Sequence, residues 1–99
     1  MTRKNIVEQL REANQVIKNL FHAEITAVYG SYARGDQSPQ SDLDVLYRVN
    51  SPERFGLIEI DGLENYIKEL VKVPSVDLVN EKYVNPIIQL EIESELIHV

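Results

Sequence analysis

Asp42 and Asp44 are separated by one residue in the run Ser41-Asp42-Leu43-Asp44, at the head of a segment rich in strand-forming residues. Side chains alternate along a strand, so both carboxylates leave one face while Leu43, Val45 and Tyr47 leave the other. Two like charges that close repel, and hard oxygen donors at this separation suit Mg²⁺. An exposed strand start would tolerate the same pair, so Asp-x-Asp alone decides nothing. Asp77 stands in Val76-Asp77-Leu78-Val79, a charge inside an apolar run. Such a residue is paired, metal-bound, or on the solvent face of an edge strand. If its strand lies beside the second one, Asp77 joins Asp42 and Asp44. Gly30-Ser31 falls where a strand gives way to a short helix. Backbone N–H groups there favour an anion and glycine lets a phosphate approach, although a plain N-cap explains the two residues as simply.

Together these pieces suggest phosphate chemistry, with a phosphate-binding turn opposite a set of carboxylates. Both are negative, so metal must lie between them. Two ions roughly 3.5–4 Å apart would lower the nucleophile's pKa and stabilise the leaving oxygen of an in-line displacement. No Gly-x-x-x-x-Gly-Lys-Ser/Thr run is present, which excludes a P-loop enzyme.

The elements that must hold these residues follow from periodicity. Ile6, Leu10, Ala13, Ile17, Leu20 and Phe21 form one stripe of an amphipathic helix over 3–21, with Lys4, Glu8, Arg11, Glu12 and Lys18 mostly off it. Residues 24–29 and 42–49 read as strands, joined by a short helix from Ser31 and a turn at Gln37-Ser38-Pro39-Gln40. Ser51-Pro52 looks like a helix start, with Leu57, Ile60, Leu63, Ile67, Leu70 and Val71 at helical spacing over 54–72. Asp61-Gly62 within it could instead be a turn. Residues 75–80 are a third strand, and Asn85-Pro86 opens a last helix running toward Leu96 and Ile97. The order αβαβαβα predicts an α/β (α+β) domain with flanking helices and a small, mostly three-stranded sheet, the sense of each strand staying open at this point.

The chain has 99 residues, 43% apolar and 26% charged, which fits one globular domain over 1–99. Ten basic residues against 16 acidic ones give a net charge of −6, so long nucleic acid is an unfavourable partner. There is no cysteine, no apolar run of about 20 residues to span a membrane, and no apolar signal core after Met1-Thr2-Arg3-Lys4. These features predict a cytoplasmic protein with neither disulfides nor a thiolate metal site.

Gly30-Ser31, ten residues, then Asp42-Leu43-Asp44 resembles the signature of the DNA polymerase β-type nucleotidyltransferase superfamily. The fuller Gly-Ser-Tyr-Ala-Arg-Gly-Asp with Ser41-Asp42-Leu43-Asp44 is similar to the minimal nucleotidyltransferases, the antitoxins of HEPN/MNT toxin–antitoxin pairs. The resemblance is strongest over 24–49 and extends to Val-Asp-Leu-Val at 76–79. It implies the nucleotidyltransferase fold with a mixed sheet, Gly30 and Ser31 on the nucleotide's phosphates and Asp42 and Asp44 ligating two Mg²⁺ ions. It makes Asp77 a third ligand and the base for the incoming hydroxyl. Arg34 would face the triphosphate or simply pair with Asp36. The implied reaction moves AMP from ATP to a tyrosine hydroxyl of the HEPN ribonuclease toxin in a hetero-oligomer. A chain this short is expected to build a nucleotide site and leave the acceptor to a partner, for which an acidic surface suits electrostatic steering.

Two other readings stand beside this one: a non-catalytic antitoxin that masks the toxin by contact, and a small-molecule nucleotidyltransferase of the aminoglycoside-modifying type. The remaining conspicuous side chains have plainer uses. His22 and His98 read as solvent-facing or helix-terminal, and Tyr29, Tyr47, Tyr66 and Tyr83 as core or rim aromatics. Tyr32 could touch a base or ribose but more simply packs. Glu91, Glu93 and Glu95 read as a solvated helix face that a basic partner could also meet.

Overall fold

A computed structural model describes residues 3–99, apart from the side chains of residues 3, 4 and 91. Met1 and Thr2, and the expectations attached to the Lys4 and Glu91 side chains, lie outside the described residues. The first helix, α1 (Arg3–Phe21), buries Ile6, Leu10, Ala13 and Ile17 as its spacing predicts. Leu20 departs from the expected stripe and is exposed. Strand β1 (Ala23–Tyr29), short helix α2 (Ser31–Arg34) and strand β2 (Leu43–Val49) follow. A helix α3 (Leu57–Val71), strand β3 (Val76–Asn80), helix α4 (Pro86–Glu93) and strand β4 (Ile97–His98) complete the chain.

The sheet order is β3-β2-β1-β4. β1 runs antiparallel to β2 and β4, and β2 runs parallel to β3 through the α3 crossover. α1 and α3 pack on one face, where Leu10, Ile17, Leu63 and Ile67 meet Ile25, Val28, Leu43 and Val45. Gly62 lies inside α3 and is not a turn: a Cβ there would come 2.7 Å from Phe21 Cε1, so its lack of a side chain lets the two helices approach.

Two expectations need correction. The sheet has four strands and not three, because Leu96 and Ile97 leave the helical path after Glu93. Ile97 and His98 pair with Val28 and Ala27, and Val99 N–H donates to the Thr26 carbonyl at 3.0 Å. The helix expected from Ser51-Pro52 is only a 3₁₀ turn, Pro52–Arg54, and the Ser51 side chain makes no capping bond. Phe55 is extended and stacks against Tyr47 with ring centroids 5.5 Å apart, which breaks the helical path. α3 starts afresh where Glu59 Oε1 accepts from Gly56 N–H at 2.7 Å, leaving Leu57 84% exposed.

A bulge in β1 sets up the site. Ile25 pairs with Tyr47 but Ala27 pairs with Leu46, so Thr26 is an extra residue. The shift lets Ile25 and Val28 both face the helices, and it turns Ala27 and Tyr29 to the opposite face.

Candidate active site

On that opposite face Tyr29, Asp44 and Asp77 form a row across three strands: Tyr29 is paired with Asp44 and Asp44 with Asp77. The parallel register of β2 and β3 thus brings two of the three expected carboxylates side by side. Asp42 precedes β2 on the same face, after a turn closed by Ser41 N–H to the Ser38 carbonyl at 3.1 Å. Its carboxylate accepts a hydrogen bond from Ser75 Oγ, just before β3. Leu43 N–H donates to the Ser75 carbonyl at 3.0 Å, so Ser75 ties the start of β2 to β3 through both backbone and side chain.

Gly30 follows Tyr29 directly. Its φ of 77° and ψ of −153° lie in a region that only glycine enters without strain. A Cβ there would sit 2.2 Å from Asp44 Oδ2. Replacing Gly30 by Ala is therefore expected to destabilise the fold by about 2 kcal/mol, from a non-glycine residue in this region plus displacement of the Asp44 carboxylate. A urea melt with an unchanged midpoint would contradict this. Ser31 begins α2, and Arg34 ends it. The Arg34 guanidinium donates to Asp36 Oδ2 at 3.1 Å, the plainer of its two expected uses, and also to Glu95 Oε2 at 2.9 Å. Glu95 Oε1 in turn accepts from Gly30 N–H at 3.3 Å.

The electrostatics follow from this crowding. Burial, then the charges of Asp77 and Asp42 and a hydrogen bond with Asp77, push the Asp44 carboxyl from 3.8 up to about 6, with Arg34 offsetting part. Burial, then Asp44, Asp77 and Glu95, push the Tyr29 hydroxyl up to about 12. Tyr29 thus stays un-ionised at neutral pH, as a hydroxyl beside the carboxylates. Among the described residues no three His, Asp or Glu side chains converge as a ready ligand set, because Asp42 is turned toward Ser75. Asp44 and Asp77 nonetheless offer adjacent hard oxygen donors whose mutual repulsion favours a bound proton or a cation. That donor set suits Mg²⁺, with Asp42 able to join by turning away from Ser75.

Three residues of this corner were not singled out from sequence. The sequence suggests a core or rim aromatic at Tyr29, although its place immediately before Gly30 is a signal. Ser75 gave none. Glu95 was read as part of a helix face, whereas it lies past the end of α4 and reaches α2. A cleft of about 930 Å³ is lined by none of the motif residues. It opens on the same sheet face, beginning at Leu46 two residues beyond Asp44, between the sheet, Phe55, Tyr83, Ile92 and Leu96.

The family described as "Nucleotidyltransferase domain" matches residues 4–98. A protein of Methanocaldococcus jannaschii named "Putative protein adenylyltransferase MJ0126" is 33% identical over 99 residues, spanning 99% of this chain and 98% of the relative. A solved structure of a "putative minimal nucleotidyltransferase" has a TM-score of 0.75 at 27% identity, covering 100% of this chain and 97% of that one. A toxin–antitoxin crystal structure with AMP-PNP shares the fold, with a TM-score of 0.65 at 18% identity over 99% of this chain and 72% of that one. The sheet order, the flanking helices and these superpositions define the class, a nucleotidyltransferase fold. The chain belongs to the nucleotidyltransferase domain family and is an enzyme of that kind.

Proposed function

We propose that this nucleotidyltransferase is the antitoxin of a toxin–antitoxin pair and moves AMP from ATP, with Mg²⁺, to a tyrosine hydroxyl of its partner, a HEPN ribonuclease toxin. The observation that carries the reading is the register that sets Asp44 beside Asp77, directly against the Gly30 turn, where only the lack of a side chain leaves room for the Asp44 carboxylate. Asp42, Asp44 and Asp77 would hold the metal, which when bound neutralises the triphosphate and polarises the α-phosphorus. Gly30, Ser31 and Arg34 would bind the phosphates. The acceptor hydroxyl attacks the α-phosphorus, the bond to the bridging oxygen of pyrophosphate breaks, and Asp77 takes the hydroxyl proton. Tyr29, paired with Asp44 across the sheet, keeps its hydroxyl un-ionised beside the carboxylates.

A protein acceptor is supported by apolar surface left exposed elsewhere on the chain. Tyr83, Ile87, Ile88 and Leu90 are large apolar side chains left exposed, and the cleft on the same sheet face is lined mostly by apolar groups. Patches of this kind mark contact surfaces. No helix among the described residues is long and apolar enough to cross a membrane, which is compatible with action in the cytoplasm, where ATP is available. The same apolar surface also favours the second reading, masking of the toxin by contact alone.

Intact-mass measurement of the partner encoded beside this protein separates the two. After incubation with ATP and Mg²⁺, the partner is expected to gain one or more AMP units, and the variant carrying D42N and D44N is expected to add none. A tight complex with no mass change would select masking, and full transfer by the double variant would remove the metal role.

A further inference from the structure

Glu95 occupies the anion donors of the site in the free protein. Its two carboxylate oxygens are divided between them, Oε1 on Gly30 N–H at 3.3 Å and Oε2 on Arg34 Nη1 at 2.9 Å. Those donors flank α2 at its two ends, so the carboxylate bridges the short helix as a phosphate would. The side chain is only 22% exposed, and it points into a corner that already holds Asp44, Asp77 and Tyr29. Bringing a further negative charge there is unfavourable unless donors compensate it, and charge-assisted bonds to a backbone N–H and a guanidinium do so. Glu95 arrives from the turn between α4 and β4, held by its own N–H on the Ile92 carbonyl at 3.0 Å and by the pairing of Ile97 with Val28. It is thus tethered next to its donors by an edge strand of two residues, the shortest pairing in the sheet.

We infer that Glu95 is an intramolecular competitor for the nucleotide's phosphates, closing the Gly30–Arg34 anion site in the free protein and leaving it when ATP–Mg²⁺ binds. The inference rests on the proposed reading of Gly30 and Arg34 as phosphate donors. It makes the affinity for ATP a balance between two anions, one of them attached. It also couples nucleotide binding to the α4–β4 turn, which borders the cleft through Ile92 and Leu96.

The test is calorimetric titration with ATP–Mg²⁺ of the wild type, Glu95→Gln and Glu93→Gln at about 0.15 M salt, where exposed charges are largely screened from one another beyond about 8 Å. Glutamine keeps the size of Glu95 and removes its charge, so E95Q is expected to bind about tenfold more tightly. Glu93, exposed at the end of α4, removes the same charge nearby without the contacts, and E93Q is expected to match the wild type. Binding by the wild type with an equal or weaker affinity in E95Q overturns the competition and leaves Glu95 as a support for Arg34. No binding by any of the three overturns the phosphate reading as well. A measurement on the unmodified protein covers the case of a poorly folded variant. ATP–Mg²⁺ is expected to speed amide exchange at Glu95 and Leu96, and unchanged or slower exchange there would show that Glu95 is not displaced.

Discussion

Asp77→Asn is expected to lower AMP transfer by about 10²–10⁴-fold, the range for loss of a general base, while the KM for ATP changes much less. Asp77 lies on β3, an edge strand, with its side chain exposed and its neighbour Asp44 on the inner side. A hydroxyl brought by a partner can reach Asp77 from the open edge, whereas Asp44 is half-buried on the adjacent β2. Asparagine keeps the shape but cannot accept the proton, so the loss belongs to the chemical step. Exposure also makes the substitution mild for the fold, within about 0.5 kcal/mol. Single-turnover rates with saturating ATP, set beside ATP affinity, check the split. An undiminished rate would move proton acceptance to another group, and an equal loss in affinity and rate would make Asp77 a metal holder alone.

The residues proposed to carry this chemistry are legible because the motif is local. Gly30-Ser31 and Asp42-x-Asp44 lie on one β–α–β passage, and strand alternation alone sets both carboxylates on one face. Asp77 was legible as an anomaly, a charge between Val76 and Leu78. Its pairing with Asp44 was not, because register between β2 and β3 is fixed only by the crossover through α3. The helical spacing of Leu63, Ile67 and Val71 was real, but the start of α3 depended on Phe55 finding Tyr47, a contact across 8 positions of sequence that periodicity does not record. β4 was hidden because two residues are too few for alternation to appear, and Leu96 and Ile97 continue a helical spacing that the chain abandons. Glu95 was misread for the same reason. Once the helix ends at Glu93, a residue that looked solvated lies beside Gly30 and Arg34.

Asp44→Asn is expected to have opposite effects on activity and stability. If Asp44 holds the metal as proposed, removing it forfeits several kcal/mol of transition-state stabilisation, a loss of about 10³-fold or more in transfer. The metal-free fold, in contrast, gains. Asp44 titrates at about 6 in the folded protein and at 3.8 as an unperturbed carboxyl, chiefly through burial and then through Asp77 and Asp42. The folded state therefore holds this proton more tightly than the unfolded chain. The stability that comes with it is complete below about pH 4 and is lost as the pH rises to about 6. At about pH 7 the ionised group is a net penalty that asparagine removes. A shift of that size corresponds to about 3 kcal/mol for a fully enclosed group, and partial solvent screening of Asp44 reduces it to about 1 kcal/mol. For a domain of this size that is about 4–8 °C in Tm. In EDTA the variant should thus melt higher at about pH 7, and the two curves should converge near about pH 4. Glu24 titrates low, its burial outweighed by hydrogen bonds from Arg48 and Lys18, and it loses stability in acid. It does so in both proteins and cancels in the difference. On the proposed reading Mg²⁺ would supply the missing counter-charge, so it should raise the Tm of the wild type and leave the variant nearly unmoved. A variant that melts at or below the wild type in EDTA would mean that the Asp44–Asp77 pair is not under charge strain, and the case for a cation between them would lose its electrostatic basis.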